Sequence, residues 1–255
     1  MTAHERRQSI LESLRRSPGI RVIELAEAFD VSQGTIRNDL DALEQEGRLE
    51  RVHGGAVLVE SKELNNTSFT DRHKENVQQK QMIGRCAAQS IQDGDSILLD
   101  ASSTAYYLGL ALESKSRLRV VTNGLDVGRL MAKNSTNTVI LIGGILNADG
   151  SSVTGLFSEM LIEELRIQKA FVSASGFSLE RGMTEVHLQE ALLKRKVIES
   201  ANEVIALVDS SKFGKDDLTP FASIKDVHQL LTDDGISSRW VDKLEQAGIK
   251  TIICS

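Results

Sequence analysis

Along the first sixty residues, apolar positions recur with a helical period. Ile10, Leu11 and Leu14 share one face of a predicted helix over 4–16, which Pro18-Gly19 would end. Val22, Leu25, Ala26 and Phe29 fall at i, i+3, i+4 and i+7, an amphipathic stripe two turns long. After Asp30-Val31, Ser32 is placed to cap a third helix that buries Ile36, Leu40 and Leu43, with Gly47 just past its end. Leu49-Glu50-Arg51-Val52 and Ala56-Val57-Leu58 flank His53-Gly54-Gly55, which predicts a β-hairpin. Residues 59–73 are polar and weakly periodic, as in a linker.

From residue 74 onward helical stripes alternate with short apolar runs. Helices are predicted near 75–91, 104–112, 125–132, 156–165, 186–201 and 237–247. Strands are predicted near 96–100, 118–122, 138–142, 170–173, 204–208 and 251–253. Short apolar strands separated by helices imply an α/β domain with a mostly parallel sheet covered on both faces. The chain divides accordingly into a small head, 1–58, a linker, 59–73, and a large domain, 74–255.

The third helix is the first place where this pattern suggests chemistry. With Ile36 pointing inward, Gly34 and Asn38 point outward, and Thr35 and Arg37 lie on the flanks. Ser32, Gln33, Gly34, Thr35, Arg37 and Asn38 thus form an exposed opening turn and a half, able to bond base edges and phosphates. A solvated helix face would carry similar residues, so the order of the pieces decides. A short helix, a tight turn and a second helix opening on small polar residues is the helix-turn-helix arrangement. A hairpin directly after it is a wing, which would put Arg51 and His53 near a DNA backbone. The expected partner is double-stranded DNA.

In the large domain the informative residues stand where strands end and helices begin, the usual ligand edge of an open α/β sheet. These are Asp100-Ala101-Ser102-Ser103-Thr104, Thr122-Asn123-Gly124, Gly143-Gly144, Ser173 to Gly176, Glu185 after Met183-Thr184, and Asp209 to Gly214 with Lys212. Small hydroxyl-bearing residues before a helix leave backbone N–H groups aimed at an anion, and Lys212 adds a charge. Any one such loop is explained by ordinary capping and turn geometry. Several at one end of one sheet point to an anion pocket, with phosphate the plausible occupant.

Charge complicates the nucleic-acid reading, because the whole chain is −6. Residues 1–58 hold eight basic and ten acidic residues, yet all eight basic ones are arginine, whose planar fork suits phosphate and guanine. The rest is that of an ordinary globular protein, 40% hydrophobic and 26% charged. No apolar run is long enough to span a membrane, and the start does not look like a secretion signal. Cys86 and Cys254 sit in apolar surroundings and are expected reduced, in keeping with the cytoplasm. No metal-ligand spacing or cofactor motif is found.

The stretches Val22-Ile23-Glu24-Leu25-Ala26, Phe29-Asp30-Val31-Ser32, Thr35-Ile36-Arg37-Asn38-Asp39-Leu40 and Arg51-Val52-His53-Gly54-Gly55-Ala56 resemble the DeoR-family DNA-binding domain, its motif falling on about 20–39. Leu99-Asp100 with Ser103-Thr104, Val121-Thr122-Asn123, Gly143-Gly144, Phe171 with Gly176, Gly182-Met183-Thr184 and Asp209-Ser210-Ser211-Lys212-Phe213-Gly214 are similar to the sensor domain of that family. Many members carry a second arginine where this chain has Asn38, and glycine where it has Ser102. The resemblance implies a sheet domain related to ribose-5-phosphate isomerase and CoA-transferase-like folds, a phosphorylated sugar effector, repression of a catabolic operon, and a homo-oligomer.

Two other readings stay open. A sugar-phosphate isomerase with an appended head would need a carboxylate base and a separately tuned acid. Asp100, Glu185 and Asp209 are available, but none has a second acidic residue beside it in sequence, and catalysis is not expected. A constitutive DNA binder whose large domain only oligomerises would not need so many polar strand-end loops.

Overall fold

The computed structural model describes residues 3–16, 20–45, 49–52, 55–58 and 69–255. Contacts divide the chain into two compact units, 1–66 and 67–255. In the first, α1 (Ala3–Arg16), α2 (Val22–Phe29) and α3 (Gln33–Gln45) precede the antiparallel pair β1 (Leu49–Val52) and β2 (Gly55–Leu58). The predicted stripes meet in one core: Ile10, Leu11 and Leu14 pack with Val22, Leu25, Ala26, Ile36, Leu40 and Leu43. Asp30 closes α2 in the left-handed region at φ 51°, a conformation that short polar side chains tolerate. The Ser32 hydroxyl then accepts the Thr35 N–H at 3.1 Å, capping α3 as its position in the sequence predicts. Pro18-Gly19, Gly47, His53-Gly54 and residues 59–68 lie outside the described residues.

The second unit opens with α4 (Phe69–Lys74) and α5 (Val77–Ala88), followed by β3 (Ser96–Leu99), α6 (Ser103–Ala111), β4 (Arg119–Thr122), α7 (Leu125–Met131) and β5 (Thr138–Leu141). A small hairpin, β6 (Ile145–Leu146) with β7 (Val153–Thr154), leads into α8 (Leu156–Glu163) and β8 (Ile167–Val172). Then come β9 (Gly176–Ser178), β10 (Gly182–Glu185), α9 (Leu188–Ser200), β11 (Ala201–Leu207), β12 (Thr219–Ala222), β13 (Gln229–Asp233), α10 (Ser238–Gln246) and β14 (Thr251–Cys254).

Seven strands form one parallel sheet in the order β14-β13-β11-β8-β3-β4-β5. Successive residues of its central strands enter opposite cores. Ala170 and Val172 pack toward α8 and α9, and Phe171 packs toward α5 and α6. Burial on both faces explains why these strands read as continuous apolar runs.

Two expectations need correction. The predicted strands omit β13, which lies inside the sheet, because only Leu230 and Leu231 supply an apolar signal between polar but buried Gln229, Thr232 and Asp233. The predicted linker runs too far: Phe69–Lys74 is helical and belongs to the large unit. There Phe69 and His73 pack against Tyr106 and Tyr107 of α6.

Candidate functional site

On the head, Ser32, Gln33, Gly34, Arg37 and Asn38 are exposed along the start of α3, and Thr35 is half-buried against Ser32. A Cβ at Gly34 would meet only the Ser32 hydroxyl within 4 Å, so the backbone here is open to a surface laid on it. What holds this helix is a contact the sequence pattern did not flag. Asp39, 3% exposed, accepts from Arg6 Nε at 2.5 Å and Arg7 Nε at 3.1 Å. Two of the head's arginines therefore tie α1 to α3. Asp39 stands three residues after Ile36 and one before Leu40, which places it on the inner face.

Arg51 departs from expectation. Its guanidinium is paired with Asp41 on α3, and its N–H donates to the Glu44 carboxylate at 2.9 Å. Two acidic residues of α3 thus engage both the side chain and the N–H of Arg51. His53, the other expected wing contact, lies outside the described residues.

In the large unit a pocket of about 430 Å³, counting its open mouth, lies at the carboxyl edge of the sheet. Ser102, Ser103, Thr104, Glu185 and Lys212 line it, together with Ser173, Ala174, Ser175 and Asp209 from the other strand-end loops singled out above. Ser102 caps α6, its hydroxyl accepting the Ala105 N–H at 3.1 Å, and the pocket-lining Ser103 and Thr104 stand in the first turn, ahead of the first intrahelical bond, from the Tyr106 N–H. Asp100 lies behind this turn as a brace. One carboxylate oxygen accepts the Ser102 N–H at 3.1 Å and the other accepts the Ser173 N–H at 2.9 Å, joining the β3 and β8 loops.

Besides Asp100, six expected residues fall outside the lining, and all but Gly143 have a structural task. The Thr122 hydroxyl accepts the Gly124 N–H at 3.0 Å, and a Cβ on Gly124 would come within 2.9 Å of Ala101 Cα. These two shape the β4 turn. Asn123 donates to Glu190 at 3.3 Å and to the Val153 carbonyl at 3.3 Å. Gly176 lets the Lys215 carbonyl approach to 2.4 Å of where its Cβ would be. Gly144 does the same for the Thr154 carbonyl at 2.5 Å, and Gly143 has open space beside it. A short strand-end loop displays small residues whether it binds a ligand or only turns tightly, which is why sequence could not separate the two groups.

The densest chemistry was not visible as a motif. Lys194, buried on α9, is 2.6 Å from Glu185 and 3.3 Å from Asp100, and donates to the Ser173 carbonyl at 2.9 Å. Burial alone would lower its pKa, but Glu185 and Asp100 hold it above the usual lysine value. Burial would likewise raise Glu185, yet Lys194 and a bond from the Ser175 hydroxyl keep it below the usual carboxylate range. Glu190 lies one turn away, bonded by Ser152 at 2.5 Å and Asn147 at 2.8 Å, with its pKa raised by burial. Asp100 and Glu185 have no acidic neighbour in sequence, yet the fold gathers them, with Glu190, around one lysine. The available signal was the α9 stripe Ala191, Lys194, Val197, an apolar face with a charge in its middle.

Across the pocket, Asp209 is 1% exposed. Its Oδ1 accepts from the Ser211 N–H at 3.1 Å, from the Ser211 hydroxyl and from Asn76, but its Oδ2 has no partner. Arg72 and Lys80, from α4 and α5, complete the cationic side with Lys212. Sequence reasoning passed over both because one falls in the predicted linker and the other inside a helix. Among the described residues no group of His, Cys, Asp and Glu has the make-up of a metal site.

Comparison with known proteins places this arrangement in a family. Residues 6–62 match the DeoR-like helix-turn-helix domain, and residues 75–234 match the DeoR C-terminal sensor domain. The HTH-type transcriptional regulator YulB of Bacillus subtilis (strain 168) is 38% identical over 250 residues, 98% of this chain and 96% of that one. The glycerol-3-phosphate regulon repressor of Escherichia coli (strain K12) is 31% identical over 91% of this chain and 92% of its own. A solved ribose 5-phosphate isomerase A from Neisseria gonorrhoeae overlaps 52% of each chain at 15% identity with a TM-score of 0.39. With both domain models matched in order and relatives aligned nearly end to end, the chain belongs to the DeoR family of DNA-binding transcriptional regulators.

Proposed function

We propose that this regulator represses an operon for the catabolism of a sugar or sugar derivative, and that a phosphorylated form of that compound is its effector. The observation that carries the reading is the pairing of opposite needs in one pocket. The α6 amides, Arg72, Lys80 and Lys212 form a side suited to a phosphate, and the unpartnered Asp209 Oδ2 is an acceptor suited to a hydroxyl. A polyhydroxylated phosphate meets both. The relative that represses a glycerol-3-phosphate regulon supports the same class of compound.

On the head, Gln33, Arg37 and Asn38 read base edges from the major groove, with Ser32, Gly34 and Thr35 against the backbone. Arg51 joins them only by leaving Asp41. The working form is a homo-oligomer, a dimer or tetramer, whose heads meet half-sites about one helical turn apart. Adjacent exposed side chains at Ile145, Leu146, Leu156, Phe157 and Met160 support self-association of the large unit. The cytoplasm is its compartment, consistent with the free thiols at Cys86 and Cys254 and with no described helix long and apolar enough to cross a membrane.

The gathering of Asp100, Glu185 and Lys194 gives an isomerase reading its one specific observation. The electrostatics oppose it. Glu185 is bonded on both oxygens and held to its ionised form, so it is a weak base toward a substrate carbon. Incubating the purified chain with aldose and ketose phosphates should give no turnover; isomerisation at enzymatic rates would replace the sensing role. The sensing role itself is tested by thermal shift. A phosphorylated sugar at 100 times its dissociation constant should add about 2.7 kcal/mol of stability, and a panel with no stabilising member would refute it.

A further inference from the structure

The residues that connect the pocket to the DNA-binding head in sequence begin at α4, so its attachments decide what an occupant would change. Its first N–H, at Phe69, donates to Asp149 at 3.2 Å. Its aromatic side packs on α6, and the Tyr107 hydroxyl donates to the His73 carbonyl at 3.1 Å. The end of α4 is closed by the Lys80 ammonium, which donates to the Arg72 carbonyl and, at 2.7 Å, to the Glu75 carbonyl. An ammonium has three donors. Two hold α4, and Lys80 also lines the pocket.

We infer that Lys80 transmits occupancy of the pocket to α4: a bound phosphate fixes the ammonium that closes this helix and so stiffens the segment leading to the head. The inference rests on the proposed phosphate site and adds the route by which that site acts. Lys80 is 4% exposed, and no carboxylate lies within ion-pairing distance of its nitrogen among the described contacts. Burial, with Lys212 as a second cation opposing the help of Asp209, lowers its pKa to about 8. A buried ammonium so weakly compensated gains from an anion placed beside it. Arg72 points the same way, its Nε being buried without a partner.

Hydrogen–deuterium exchange on the full chain, with inorganic phosphate as the probe and chloride at matched ionic strength as the control, tests this. With phosphate near ten times its dissociation constant, amides at 102–106 and at 69–76 should both exchange about tenfold more slowly. In Lys80→Gln, at phosphate raised to saturate the weaker site, protection at 102–106 should persist and protection at 69–76 should be lost. Protection at 102–106 alone in the unmodified chain would overturn the coupling and leave the site standing. Equal protection of 69–76 in Lys80→Gln would also overturn it. No protection at either segment would remove the site, and the coupling with it.

Discussion

Replacing Lys194 by methionine removes one charge from a buried set of three and leaves Asp100 and Glu185 facing each other without it. At an effective dielectric constant near 20, separations of 2.6 Å and 3.3 Å correspond to attractions of roughly 6 and 5 kcal/mol, largely offset by the cost of taking all three charges out of water. What a variant reveals is the uncompensated remainder, about 3–5 kcal/mol when one member of a buried pair is lost. Lys194→Met should therefore lower the unfolding free energy of the large unit by about that much at pH 7. The sole tryptophan, Trp240, lies in this unit against Phe213, so its fluorescence in urea follows the right domain. The pH dependence adds a sign. Glu185 has a folded pKa below its unfolded one, so its stabilisation is present above the unfolded value and fades as pH falls through the folded one. Lys194 has a raised folded pKa, so its contribution is full below the ordinary lysine value and is lost only as pH climbs past it. The penalty of Lys194→Met should accordingly shrink on acidification, as protonation relieves the stranded carboxylates, and adding Glu185→Gln should recover part of it at pH 7. A loss under about 1 kcal/mol, or one unchanged between pH 7 and pH 4, would refute this electrostatic account.

Other outcomes follow from the same contacts. Arg37→Ala should weaken operator binding by about 1–3 kcal/mol in a fluorescence-anisotropy titration while leaving the thermal shift by phosphorylated sugars unchanged. Asp39→Ala removes the buried carboxylate to which Arg6 and Arg7 both donate and should destabilise the head by about 1–3 kcal/mol, read from helix loss by circular dichroism in the full chain while the Trp240 transition stays in place. Phe157→Glu puts a charge on a side chain 75% exposed, so it should lower the assembly state in analytical ultracentrifugation without lowering the melting temperature.

Much of the architecture was legible because its signals are local. The stripe Val22, Leu25, Ala26, Phe29, the cap at Ser32 and the apolar runs of β3, β4, β8 and β11 each declare an element within a few residues. β13 escaped because its buried polar residues carry no apolar signal, and the partner that helps Asp233 stay buried is remote in sequence: Asp233 accepts the Ser210 N–H at 2.6 Å, and the local Gly235 N–H at 3.1 Å. The pocket was half legible for a similar reason. Loops such as Ser102-Ser103-Thr104 advertise themselves, whereas Lys80, Arg72 and Lys194 sit within helices and gain their chemistry only from what the fold packs against them. Gly144 and Gly176 mislead in the opposite direction, since close backbone approach calls for the same residue that an anion turn does. Arg51 shows the limit on the head: its charge is visible in sequence, and its capture by Asp41 is not.

The most direct measurement is of the full chain on a duplex selected from a random pool, titrated with a panel of phosphorylated sugars and with the same sugars lacking phosphate. At least one phosphorylated member should change the operator dissociation constant at fixed ionic strength, its unphosphorylated counterpart should not, and Lys212→Ala should abolish the response while still binding the duplex. An operator affinity indifferent to the whole panel, or one that responds equally without the phosphate, would contradict the account.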